Sequence, residues 1–475
     1  MTRAILAIVC GLICCVVSPL QADWPTYKSA NTRVAATPQK LARQLSLRWV
    51  YATPVAPEMA WAGPRDEPFE GKIMRHRVDY DRALDVVSAG ERLFFGSSVD
   101  NNLYCVDAAT GKFLWTFYTD GPVRLAPTVV QGKVYFGSDD GYAYCLAAQD
   151  GKVVWKMRPS PRDERLLARG RMISRWPIRS GVLVDGDTAY FAAGIIPHEQ
   201  VYLVAVNAKT GKPVWINDRI SQQDAGRNPL SPQGYLLANK ELLFVPSGRA
   251  LPAAFRRSDG EEVYQRTHSW RTAAGGVVGG TRAMLADGQI YAAGAEHFLA
   301  LDQKTGAVGF AWIDGKQLTV SGDKGFVATG THVVAIDRLQ HAKATKQRQE
   351  LKLKQRTLQR SKADVKPEEY RQQNEELTTQ INQLGKIGAL WKTASKLASS
   401  LVVTGNLLVA GGQDQVATYE VATGKLVWQA KVDGDAVGLV VDGGRLYVST
   451  DLGKIYGFEA QQVSPPSQEV AQWPP

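Results

Sequence analysis

The side chains of this chain that could do chemistry fall into three groups. Six histidines (His76, His198, His268, His297, His332, His341) show no metal-ligand spacing. Two of the five cysteines lie beyond the N-terminal stretch, Cys105 and Cys145, and no Cys-x-x-Cys-His haem attachment sequence is present. Carboxylates cluster at Asp66, Glu67, Asp79, Asp81 and Asp85 without the order of a calcium loop, so no metal site is read there. The paired glycines Gly275-Gly276 and Gly279-Gly280 precede no helix and make no phosphate loop. No catalytic residue is assigned.

The third group is cationic. From Lys156 to Arg179 the chain carries eight Lys or Arg against two acids, and Arg175, Trp176 and Arg179 fall together. Arg124, Arg179 and Lys316 occupy equivalent places just before or within successive apolar runs. Arg124, Arg175, Trp176, Arg179 and Lys316 therefore form the candidate binding set, suited to a carboxylate, a phosphate or an acidic peptide, with Trp176 as a stacking surface. The alternative is a hydrated basic rim whose arginines pair with local Asp and Glu.

What must position these residues is a repeat. The stretch LYCVDAATGKFLW ending at Trp115 returns forty positions later as AYCLAAQDGKVVW ending at Trp155. It recurs at Trp215, Phe310 and Trp428, and in degenerate form at Tyr264 and Trp391. Each copy follows two β-branched or aromatic runs joined by a turn, which makes four strands per repeat. Gly111 and Gly211 supply the positive φ of a tight turn, and the Trp four residues on packs against the neighbouring unit. The seven closing aromatics count seven units, and an eighth begins at Ala436 and stops near Phe458. Leu45 to Tyr51 carries the same ending at Trp49 and would complete it. The expected fold is all-β: an eight-bladed β-propeller of four-stranded antiparallel blades over residues 23–463, closed by the N-terminal strand so that no edge is left open. Cys105 and Cys145 then sit a blade apart. Facing sheets lie about 10 Å apart and a disulfide needs Cα atoms within about 7 Å, so both are read as buried thiols.

The repeat pattern A-x-D-x-x-T-G-x-x-x-W resembles that of the pyrroloquinoline-quinone-type, tryptophan-docking propellers, over about Asp23 to Phe458. The resemblance implies one of two functions. Quinoprotein dehydrogenases of this type hold the quinone with a metal such as calcium beside a carboxylate base, and their alcohol-oxidising members close adjacent cysteines over it. The outer-membrane assembly lipoprotein of the β-barrel machinery uses the same ring for docking. Adjacent cysteines and metal carboxylates are missing here. The expectation is an exported, non-catalytic binding or scaffold propeller with no cofactor, whose partner is a cell-envelope protein or an anionic ligand; pyrroloquinoline quinone with calcium is the alternative.

Two irregular regions and both ends complete the plan. Ala52 to Arg82, with four prolines, Trp61 and the bases Lys72, Arg75, His76 and Arg77, is expected to cap the same face as the long basic loop. Residues 338–384 read as a helical, coiled-coil-like hairpin inserted in the sixth blade, with Pro367 opening its second arm. Arg338 to Lys362 holds nine bases against Glu350, and Ala363 to Leu384 five acids against two bases, a pattern suited to pairing between the arms. The hairpin thus carries half of the net charge of +10 from 56 Lys plus Arg against 46 Asp plus Glu, and with no recognised motif nucleic acid is not an expected partner. Residues 1–22 read as a signal peptide, with a basic start, an apolar stretch from Ala4 to Val17 and Ala22 before the cut, which implies a periplasmic or secreted protein. No later stretch is apolar enough to span a membrane, and 464–475 reads as a disordered tail.

Overall fold

The computed structural model describes residues 24–61, 68–69, 72–73, 80–220, 230–248, 251–266, 281–293, 297–461 and 469–471. The expected signal peptide, Asp66, Glu67, Asp79, His76, His268 and the two Gly-Gly pairs lie outside them. Six blades are four-stranded antiparallel sheets, each running in chain order from its innermost strand outward: Val87–Ala89, Thr128–Val130, Leu183–Asp185, Leu237–Ala238, Ala283–Ala286 and Gln317–Ser321 are the inner strands.

The ring has seven blades, which corrects the expected eight. The last two repeats form one seven-stranded sheet because Leu426–Asp442 is a single strand, the outer strand of one repeat and the inner strand of the next. It pairs with Leu407–Glu420 through Gln415↔Lys431 and with Arg445–Thr450 through Leu439↔Val448. Prolines interrupt three of the other passages from outer to inner strand, as Pro122 does after Phe113–Tyr118. Between Trp428 and Leu439 there is no proline, and the ladder runs on.

Closure follows the expected route. Leu45–Ala52 pairs antiparallel with Lys454–Ala460, so the N-terminal strand completes the last sheet. Within the stretch read as a tail, Glu469–Ala471 pairs in parallel with Trp49–Tyr51.

The closing aromatics lock neighbouring blades. A Cβ on Gly151, at φ +72°, would lie 2.7 Å from the Trp115 ring, and one on Gly111, at φ +69°, 2.6 Å from Trp49. Glycine is required there by backbone and by space alike. The indoles of Trp115, Trp155, Trp215 and Trp391 each donate to a carbonyl in the next repeat, on Ala148, Ala208, Arg257 and Val421. Trp428 donates to Leu45 O within the seven-stranded sheet, which ties the N-terminal strand to the seventh repeat. The Phe310 side chain lies outside the described residues. Cys105 and Cys145 are free and buried, and burial pushes their thiols up to about 12 and about 11.

The hairpin emerges between His332–Asp337 and Ala389–Ala394, the third and fourth strands of the sixth blade. Helix α1 (Arg338–Arg360) is capped by Asp337, whose carboxylate accepts from Gln340 N; helix α2 (Pro367–Leu384) starts on its proline. Among the described residues no ion pair joins the two arms. Gln355 donates to Asn374 and Thr378, and Ala344, Leu358 and Ile381 are the buried apolar side chains of the two helices.

Candidate functional site

The N-terminal segment is the element that shapes the channel. From Trp24 to Thr37 it winds across one end and bonds an inner strand of each sheet in turn. Trp24 pairs with Ser88, Val129 N donates to Pro25 O, the Asn31 amide to Val184 O, Ala238 N to Asn31 O, Leu285 N to Thr32 O, Thr319 Oγ1 to Ala35 O and Val403 N to Ala35 O. The winding is tight enough to hold Lys28, Ser29, Arg33 and Ala35 at positive φ. Arg33 anchors it from beneath, donating to Leu236 O, Thr26 Oγ1 and Tyr27 O.

Above this floor lies a cavity of about 270 Å³. Lys28, Arg82, Arg282 and Lys316 line it, together with Tyr27, Tyr80, Trp24 and Asp85. Asp85 is the one carboxylate among the described lining residues, and it accepts from the Tyr235 hydroxyl at 2.5 Å. Tyr235 stacks on Tyr27, centroids 3.7 Å apart, and Arg33 lies over its ring, so the carboxylate is tied into the floor. Arg82 is paired with Asp435 at 2.9 Å. Burial, then the Arg282 and Arg33 charges, lower the Lys28 ammonium to about 8 despite Asp85. The site is a pocket on which four cationic side chains and one carboxylate converge.

Of the sequence-derived set, only Lys316 lines this cavity. Arg124 and Arg179 are brought together instead by a shared buried carboxylate. Arg179 reaches both oxygens of Asp139 at 2.8 Å; Arg124 donates to Asp139 at 2.7 Å, to Asp81 at 2.9 Å and to Glu58 O. Their side chains are 7% and 3% exposed, too little to meet a ligand. Burial works to raise Asp139, but the two guanidiniums outweigh it and hold the carboxyl below its usual range; at Asp81 burial prevails and the carboxyl is raised. Arg175 pairs with Glu164 and Glu199, and Trp176 is buried with its indole donating to Glu199 O. The long basic loop forms a two-stranded hairpin, Arg165–Ala168 with Arg171–Ser174, whose Arg171 and Arg169 hold Glu58 and Met59 O of the capping segment. These cations fasten the lid of the ring.

Sequence reasoning missed Lys28, Arg82 and Arg282. Arg282 stands immediately before its inner strand, as Lys316 does, so the register that found Lys316 also marks it. Lys28 has no such signal, since only the path of the floor segment brings it in.

The resemblance implies a quinone held through calcium, which these donors would have to ligate. Calcium takes six to eight oxygen ligands, whereas this cavity offers one hydrogen-bonded carboxylate among four cationic side chains. The residues do not fit a quinone held through calcium, and no reaction step is derived through that pair. They do fit an anion.

The sequence profile of the family described as outer membrane protein assembly factor BamB matches residues 74–228, 198–342 and 383–463, together well over half of the chain. Over 129 residues, 24% of this chain, the sequence is 32% identical to the dehydrogenase subunit of a quinone alcohol dehydrogenase from Gluconobacter oxydans, and the match covers 16% of that protein. Over 132 residues it is 26% identical to a tetrathionate hydrolase from Acidithiobacillus ferrooxidans, covering 28% of this chain and 23% of that one. The matches thus span less than a quarter of these relatives' length. Among solved structures, a quinohemoprotein alcohol dehydrogenase from Pseudomonas putida HK5 superposes with a TM-score of 0.59 at 13% identity, over 95% of this chain and 82% of that one. A europium-containing methanol dehydrogenase gives 0.59 at 13% identity, over 92% and 98%. At such identities the likeness is one of fold.

Proposed function

We propose, from the premise that this chain belongs to the family of the outer membrane protein assembly factor BamB, that it is a non-catalytic binding propeller of the cell envelope, periplasmic or secreted, whose channel takes an anionic group. The ligand is a small carboxylate or phosphate, or the acidic terminus of an envelope protein entering the mouth. The observation that carries this reading is the cavity itself, on which Lys28, Arg82, Arg282 and Lys316 converge. Low-dielectric walls focus such a field and strengthen attraction to an anion.

The test is calorimetric titration with citrate, inorganic phosphate and an acidic peptide. Binding that weakens with salt and is lost in Lys316→Ala combined with Arg282→Ala supports the reading; no binding by any of the three, or binding indifferent to that pair, overturns it.

A second reading is a quinone-dependent dehydrogenase with a divergent site. What favours it is the partial likeness to the Gluconobacter oxydans subunit. A titration with pyrroloquinoline quinone and calcium separates the two: a retained chromophore with alcohol oxidation would establish the second reading and remove the first.

A further inference from the structure

The inserted hairpin carries its own surface, independent of the channel. At 1.5 Å per residue the 23 residues of α1 span about 35 Å. One side of the helix is covered. Ala344, Thr345 and Leu358 are buried, α2 packs along it, and α1 also rests on the outer strand of the fifth blade, Val308–Asp314. The opposite side is open. Leu339, Lys346, Leu353 and Arg360 follow one another at intervals of seven residues along one line, with Lys343 and Lys354 beside them.

The two leucines are 71% and 64% exposed, and the cations around them are exposed too. The acids of α2 do not neutralise this face: among the described residues no ion pair is formed by Lys343, Lys346, Lys354 or Arg360. Glu350, the single acid of the helix, lies on this same face, seven residues from Lys343 and four from both Lys346 and Lys354, so against Lys343, Lys346, Lys354 and Arg360 the face keeps a net charge of +3. The face sets two bare leucines among exposed lysines. It suits a flat anionic surface that accepts both apolar and cationic side chains. Among the described residues no helix is long and apolar enough to cross a membrane, so such contact would be made at the surface.

The geometry assigns this face of α1 as a docking surface for an anionic lipid bilayer, with Leu339 and Leu353 entering the headgroup boundary and the cations meeting lipid phosphates. The alternative occupant, an acidic protein, would use the charges without needing the leucines.

Sedimentation of the purified protein with phosphatidylcholine vesicles, with and without phosphatidylglycerol, tests the assignment. The expected result is binding only to the phosphatidylglycerol vesicles, weakened by salt. Each cation beside an anionic surface is worth about fivefold. Lys343→Glu, Lys346→Glu and Lys354→Glu together should therefore lower partitioning by well over tenfold, and Leu339→Ser with Leu353→Ser should lower it at unchanged charge. Should the reversals unfold the hairpin, as lost helical circular dichroism would show, Lys→Gln at the same three positions carries the test. Equal binding to neutral vesicles, undiminished binding by the folded lysine variant, or binding of polyglutamate without binding of anionic vesicles overturns it.

Discussion

Asp139 shows how one carboxylate can decide what its neighbours are for. Two guanidiniums that would be ligand-binding groups on a surface become structural here, because a buried carboxylate satisfies both with paired hydrogen bonds. Removing one partner leaves uncompensated charge in the interior. Asp139→Ala is expected to cost about 3–5 kcal/mol in denaturant unfolding, whereas Lys316→Ala, exposed at the mouth, should change stability little. The acid response carries a sign as well. A carboxyl held below its usual range stabilises the fold above the unfolded value and loses that contribution as pH falls through the folded one. Asp139→Asn should therefore flatten the fall in stability on the acid side. Burial, with the Arg282 charge beside it, lowers the Lys28 ammonium to about 8. As pH rises through that value its positive charge is lost, so affinity for sulfate, whose own charge is constant over this range, should be steady below and decline above. Lys28→Met should remove that decline; an unchanged profile in the variant would assign it to another group.

At the scale of elements, the strands and the hairpin answer to different constraints. Leu45–Ala52 lies between Lys454–Ala460 and Glu469–Ala471, and it carries Trp49, which covers Gly111 of the first blade. Deleting it would expose the Lys454–Ala460 edge and break the seam, and the expected outcome is an aggregating protein by light scattering. Trp49→Ala alone should cost about 3–5 kcal/mol, the usual range for a buried aromatic. The hairpin is different, because Asp337 N already donates to Gly388 O at 2.7 Å across its base. Replacing residues 338–387 by a short Gly-containing turn should leave the ring folded by near-ultraviolet circular dichroism. Loss of cooperative unfolding in that variant would mean that α1 is an integral support of the fifth blade.

For the molecule as a whole, the floor segment turns an open ring into a vessel closed at one end. It bonds inner strands all around the ring, so removing residues 24–37 should lower the melting temperature and abolish anion binding together, while Lys28→Met affects binding alone. The sequence by itself determined the repeat, the four-stranded unit, the docking of each closing aromatic on the next glycine turn, the closure through Trp49 and the hairpin with its proline start. These follow from local periodicity and turn chemistry, which neighbouring residues impose on one another. Tertiary structure alone decided the rest. The seven-bladed count turned on whether Leu426–Asp442 would break or continue as one strand through two repeats, and partners on both sides of that strand settled it. The fate of each cation turned on what folded against it: Arg124 and Arg179 met Asp139 in the interior, while Lys316 and Arg282 came to line the cavity. Lys28 joined them from far away in the chain, because a charge is balanced by whatever folds against it and sequence spacing does not record that distance.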